Sequence, residues 1–259
     1  MMPAVVVRLV GLGMNGVSWL AVFVTALLVS YFWAAVFSKV RFRPPDAGWL
    51  PQALIFSMLL PAAIPFGFAA LALSFGLVFG SHAFGGTGRY LVHPALLGAV
   101  FISFSYPALI DESAWIEGDP TAAIWFAVAC LLGALWLIAT RHASAMLVAG
   151  GVAGIGIAGS LLGELSPLAQ LTLGHFAFAL AFIATDESTQ PKTRAGRMVF
   201  GLLFGFLTIV LRTANPDRPE GTLAALLLAS LMVPLIDYLT LQSARSEEFE
   251  VIDEGRTTQ

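Results

Sequence analysis

The sequence predicts an all-helical protein embedded in a membrane and crossing it several times. Three observations predict this. Hydrophobic residues make up 58% of the 259 positions and charged residues only 11%, whereas soluble domains are about a quarter charged. Mean hydropathy is +0.85, which reflects more apolar surface than a soluble fold of this size can bury. Apolar runs recur along the whole chain, many near the ~20 residues that cross a hydrocarbon core as a helix. A free cytosolic enzyme and a disordered chain are thereby excluded. Nucleic-acid binding is excluded too, because no basic stripe exists.

The first apolar run, Ser18 to Phe37, follows Arg8. It is too long for a signal-peptide core and lacks a small-residue exit, so it is expected to stay as a span. Nine apolar segments follow one another at 15–38, 50–61, 64–82, 93–109, 121–140, 144–163, 167–184, 195–213 and 220–240. The segments 50–61 and 93–109 are short and bounded by Pro or Gly, which predicts half-helices or broken helices. The lone cysteine, Cys130, excludes a disulfide framework and an iron–sulfur cluster ligated by this chain alone. It reads as a small buried hydrophobe.

With nine crossings, ten of the thirteen Lys and Arg residues fall on the side of Lys39, Arg41 and Arg43, and only Arg8, Arg212 and Arg218 on the other. The positive-inside bias makes the first side cytoplasmic, with the N-terminus outside and the C-terminus inside. The loop 110–120 carries Asp111, Glu112, Glu117 and Asp119 without a cation, which suits the outside. The polar tail 243–259 is expected to be a disordered acidic cytoplasmic end.

Residues 1–109 and 121–242 read as two helical repeats with one grammar. In the first, a short helix, the break Pro61–Pro65, a long span, the loop Gly85-Gly86-Thr87-Gly88-Arg89 and a helix opening at Pro94 follow in order. In the second come an apolar helix, the break Thr185–Thr189, a long span, the loop 215–221 and a last helix. The two halves face opposite ways across the membrane on the loop count, which places a binding site near the midplane.

Few residues in these breaks and loops carry chemistry. Gly85, Gly86, Thr87 and Gly88 precede a helix N-terminus, so free backbone N–H groups there could hold a phosphate or a flavin edge, or simply form a turn. Asp186, at the end of an apolar run, could bind a cation, cap a helix or pair with Arg194 or Arg197. Asp237, near the inner end of the last span, is open to an ion path, snorkelling or a salt bridge. Arg212 and Glu220 bracket Asn215-Pro216, as a structural clasp or a ligand clamp. His175, mid-span, is a cofactor contact or a hydrogen bond to a neighbouring helix. No metal-ligand or hydrolase constellation is present.

Several ordered blocks carry a resemblance. Pro61-Ala62-Ala63-Ile64-Pro65, Phe84-Gly85-Gly86-Thr87-Gly88-Arg89, His93-Pro94-Ala95-Leu96 and Phe104-Ser105-Tyr106-Pro107 mark the first half. Phe176-Ala177-Phe178 with Ala184-Thr185-Asp186, Leu211-Arg212 with Asn215-Pro216 and Pro219-Glu220-Gly221, and Pro234-Leu235-Ile236-Asp237 mark the second. Together they resemble the NqrB/RnfD family, membrane subunits of the sodium-pumping NADH:quinone oxidoreductase and the Rnf electron-transport complex.

The resemblance implies an inverted repeat shaped like the urea transporters. It also implies flavin-mediated electron transfer coupled to Na+ or H+ movement, and other membrane and redox subunits as partners in the inner membrane. In the family a threonine in a Ser-Gly-Ala-Thr segment carries FMN. This chain lacks that segment, and Thr121 is the only threonine in the corresponding stretch. A non-covalent FMN or riboflavin is the expectation, with Gly85, Gly86, Thr87, Gly88, Arg212, Asn215 and Glu220 around it and Asp186 and Asp237 on an ion path. The rival reading is a stand-alone channel or carrier for a small solute or ion.

Overall fold

Once water is excluded, apolar runs can satisfy their backbone polar groups only within helices. The computed structural model follows that rule. It describes residues 1, 4–8, 16–45, 47–62, 64–86, 88–110, 120–162, 167–172, 175–215 and 221–242. In chain order the helices are α1 (Gly16–Arg41), α2 (Trp49–Leu59), α3 (Phe66–Gly80), α4 (Pro94–Ser105), α5 (Pro120–Ala139), α6 (Ala145–Leu162), α7 (Pro167–Thr172), α8 (Phe176–Phe178), α9 (Arg194–Ala214) and α10 (Gly221–Leu231). α11 (Val233–Gln242) closes the described chain. No strand occurs among the described residues.

Four of the described helices are long and apolar enough to cross a membrane alone: α1, α3 with the turn that follows it, α6 and α9. α10 and α11 form a fifth candidate, bent by 45°. Pro234 lacks the N–H that would continue the ladder, and the bend falls just before it. α2 and α4 hold 11 and 12 residues. At 1.5 Å per residue they reach about 17–18 Å, little more than half of a ~30 Å hydrocarbon core. These are the short helices that their Pro and Gly boundaries predict.

The segment 167–184, read from the sequence as one apolar helix, is not continuous. It divides into α7, α8 and a π-helical turn over Ala179–Ile183. Among the described residues the interruption includes His175 (φ −95°, ψ 12°), just before α8, a weaker helix former than the Leu and Ala around it. The expected acidic loop lies largely, and the expected tail wholly, outside the described residues.

α1 packs on α2 and α3, α3 on α4, α6 on α9, and α9 on α10, while α4 meets α10 between the two groups. In chain order the described helices run α1, α2, α3, α4, and later α6, the interrupted α7–α8 segment, α9, α10. Glycine sets the closest approaches. Gly150 and Gly154 on α6 face Gly201 and Gly205 on α9, and a Cβ on any of the four would fall on a backbone carbonyl of the opposite helix. Small residues four apart let membrane helices approach at backbone distance and gain dispersion contacts. Gly98 does the same for α4, where a Cβ would stand 2.6 Å from the Ala72 carbonyl of α3.

α2 ends in the protein interior at Leu60, whose backbone is extended, so its last carbonyls need partners. Trp19 Nε1 donates to the Ser57 carbonyl at 2.8 Å. The Arg8 guanidinium donates to the Met58 carbonyl and, at 2.6 Å, to the Leu60 carbonyl.

Candidate functional site

The glycine loop is closed on itself. Gly85, Gly86 and Gly88 have φ of +116°, +102° and +85°, conformations that L side chains rarely adopt. Gly86 N donates to the Ser81 carbonyl at 3.0 Å, Gly85 N to His82 at 3.4 Å, and Arg89 N to Gly86 at 3.3 Å. The expectation that these glycines leave their N–H groups free for a phosphate is therefore corrected for Gly85 and Gly86. Thr87 lies outside the described residues. The loop turns the chain sharply and delivers Tyr90 and His93 to the start of α4, where His93 is the extended residue before Pro94.

There the two halves touch through polar groups. The Tyr90 hydroxyl donates to Asp186 Oδ2 at 2.8 Å. His93 Nε2 lies 3.9 Å from the same oxygen, and the His93 side chain is only 5% exposed. Its other nitrogen, Nδ1, is buried and has no hydrogen-bond partner among the described residues. The Tyr90 and His93 rings meet edge to face at 5.8 Å. Asp186 also holds its own turn: Oδ1 accepts from Ser188 N at 3.1 Å, and its carbonyl accepts from Thr189 N and Gln190 N, each at 3.1 Å. Of the alternatives open to Asp186, a pair with Arg194 or Arg197 does not occur among the described residues, and its carboxylate reaches Tyr90 instead. Arg197 Nε instead donates to the Pro191 carbonyl at 2.9 Å.

Arg212 is buried at 7% exposure. Its guanidinium donates to the Gln170 carbonyl at 3.0 Å, to Gln170 Oε1 at 2.6 Å and to Thr222 Oγ1 at 3.0 Å. It thus joins the end of α9 to α7 and to the first turn of α10. Glu220, its anticipated partner, lies outside the described residues. Asn215 is exposed at the C-cap of α9. With Val100, Phe104, Pro107 and Leu223 it lines a cavity of about 310 Å³ between the two halves. Thr121 lies in the first turn of α5, with its side chain outside the described ones. His175 is buried just before α8.

Asp237 accepts from Lys192 N at 2.8 Å and so ties the stretch just before α9 to α11. Beside it Thr193 bonds Thr240 at 2.8 Å and caps α9 by accepting from Gly196 N at 2.9 Å. Asp237→Ala is expected to lower stability by about 0.5–1.5 kcal/mol, the range for a typical hydrogen bond, since this one is solvent-exposed. Asp237→Asn, which keeps an acceptor oxygen, is expected to lose less. Thermal unfolding of the two variants in one detergent checks the ranking.

The site residues that sequence reasoning did not single out are Tyr90, His93 and Gln170, His93 entering only as part of a motif. Gln170 is the one amide in the apolar stretch 167–184, and Tyr90 is a phenol four residues before the helix start at Pro94. Both were readable as polar groups needing a partner, but the partners lie 96 and 42 residues away.

Comparison with known proteins gives a match to the NQR2, RnfD, RnfE family over residues 1–124 and 119–245. The chain is 32% identical to the B subunit of the Na(+)-translocating NADH-quinone reductase of Chromohalobacter salexigens, over 87% of this chain and 66% of that protein. It is 30% identical to the same component of the reductases of Ectopseudomonas mendocina and Azotobacter vinelandii, over 87% of this chain and 67% of each. It spans about two thirds of the length of these relatives. With its apolar helices, ordered motif blocks and matches along both halves, this chain is a multi-pass membrane protein that belongs to the NQR2, RnfD, RnfE family.

Proposed function

We propose that the chain is a membrane subunit of an NqrB/RnfD-type electron-transport complex, supporting flavin-mediated electron transfer coupled to Na+ or H+ transport. The observation that carries this reading is the Tyr90–Asp186–His93 cluster. Buried ionisable groups in a membrane protein are costly and tend to mark ion or proton paths. Here an acid, an imidazole and a phenol meet where the loop of one half touches the break of the other. Asp186 is the residue to hold or relay the ion, and Tyr90 and His93 position its carboxylate. Asp237 supports the same path by fixing the stretch just before α9.

The recurrence of helix order supports two inverted repeats, as in urea transporters. The cation bias supports an N-terminus outside and a cytoplasmic C-terminus in the inner membrane. The relatives are named as subunits of a reductase, which supports other membrane and redox subunits as partners. A flavin would supply one-electron transfer. A phosphate does not fit Gly85 and Gly86, whose N–H groups are engaged. The buried His93 Nδ1, with no hydrogen-bond partner among the described residues, fits the polar edge of a flavin ring held without a covalent bond. His93 would orient the ring, and the surrounding apolar helices would exclude water.

The test is a flavin assay on the chain purified with its native partners, before and after denaturation. Flavin released only on denaturation, and depleted in His93→Ala, is the expected result. In the same preparation, Asp186→Asn is expected to lower ion transport at least about tenfold while the complex still assembles. No flavin in an intact complex would remove the redox role. A stand-alone channel or carrier would then stand, a reading favoured by the missing Ser-Gly-Ala-Thr segment.

A further inference from the structure

Three arginines converge on one cleft at the end of α1. α1 finishes with Lys39 and Arg41 in its last turn. The next residue, Phe42, has φ +53°, a left-handed conformation that a bulky side chain rarely takes. Local bonds hold it there. Arg43 N donates to the Ser38 carbonyl at 3.1 Å, Phe42 N donates to Lys39, and Ser38 Oγ donates back to the Arg43 carbonyl at 2.5 Å. The reversal turns Phe42 outward, 95% exposed, and brings Arg43 to the same cleft as Arg41.

The cleft has a volume of about 350 Å³ and is lined by Phe37, Ser38, Arg41, Arg43, His82 and Arg89, with Pro44 and Pro45 at its edge. Its floor is built. Phe37 stacks on His82 at 4.4 Å. The Arg41 guanidinium lies 5.3 Å above the Phe37 ring and donates to the His82 carbonyl. Arg43 and Arg89 add two exposed guanidinium groups. Among the described residues, no carboxylate lies within ion-pairing distance of any of the three.

Like charges gathered in one concavity repel one another unless an anion shares them. Planar guanidinium forks match phosphate oxygens two at a time. The rim decides the source of that phosphate. The cleft sits at the end of a 26-residue apolar span, and its neighbours Val40 and Phe42 expose 66% and 95% of their surface. An apolar pair beside a cationic hollow suits an acyl chain joined to a headgroup, and basic pockets at membrane edges bind acidic lipid heads. We propose that this cleft binds the phosphate headgroup of an anionic phospholipid.

The test uses the full chain in nanodiscs of phosphatidylcholine with increasing phosphatidylglycerol or cardiolipin, and reads the melting temperature. The expected result is a saturable rise in the parent chain. Arg43→Gln/Arg89→Gln should show about tenfold weaker apparent lipid affinity and the same melting temperature in phosphatidylcholine alone. Arg141→Gln/Arg194→Gln removes the same charge outside the cleft and should leave the rise intact. An unaltered rise in Arg43→Gln/Arg89→Gln, or equal loss in both double variants, overturns the proposal. So does a rise reproduced by inorganic phosphate in phosphatidylcholine nanodiscs, which would assign the cleft to a soluble anion.

Discussion

Gly201→Leu is expected to prevent the chain from accumulating as a folded, detergent-stable protein. Even the first side-chain carbon would overlap the Leu147 carbonyl oxygen and stand 2.9 Å from Gly151 N. Both are backbone atoms of α6, so no flexible side chain can move aside. Overpacking a core costs about 1–3 kcal/mol where side chains can shift. Here two helices would have to separate, and the loss should exceed that range. Gly201→Ala should already show a large fall in melting temperature. The control is Gly156→Ala on α6, where an added carbon meets nothing within 4 Å. It should be neutral or stabilise by about 0.5–1 kcal/mol, because alanine loses less backbone entropy in a helix. Thermal unfolding followed by tryptophan fluorescence separates the cases. A Gly201→Leu chain that melts with the parent would disprove backbone contact between α6 and α9.

Arg212→Ala should have the next largest effect. The substitution removes the donors to Gln170 and Thr222 and leaves their oxygens buried in an apolar setting. Each unsatisfied buried group costs about 1–3 kcal/mol, so a loss of about 3 kcal/mol or more is expected. Arg212→Lys should rescue little. A single ammonium cannot reproduce a planar fork that reaches α7 and α10 at once. Hydrogen exchange gives a local readout, because amides in α7 should lose protection before those in α9. Parent-like protection in Arg212→Ala would show that α7 is held by packing alone.

The placement of the helices was legible because apolar length and Pro or Gly boundaries are local properties of a chain. The shortness of α2 and α4 followed from Pro61 and from Pro94 and Pro107. Asp186 was legible as an acid that apolar surroundings must compensate, but its partner was not. Tyr90 comes to it through contact between the halves, which no spacing encodes. The arginines a few residues on, Arg194 and Arg197, do not reach it because Asp186 accepts from Ser188 N and its carbonyl from Thr189 and Gln190, folding it into its own turn. The interruption between α7 and α8 hid in a composition that reads as one apolar run. The Gly150–Gly154 and Gly201–Gly205 spacing was visible in the letters, yet only packing shows that the two pairs face each other.

The hold of Arg8 on the end of α2 also sets a timetable for synthesis. Arg8 leaves the ribosome 50 residues ahead of Met58. At about 5–20 residues per second, it waits roughly 3–10 s for the carbonyls it will bind. During that interval α2 does not yet exist, and once made it is too short to cross the bilayer unaided. The Arg8 contact can therefore form only after α2 has been made. Insertion of the first half is a ring closure rather than a sequence of independent stitches. Fusions that tether the N-terminus should slow this closure even where the finished protein accommodates them.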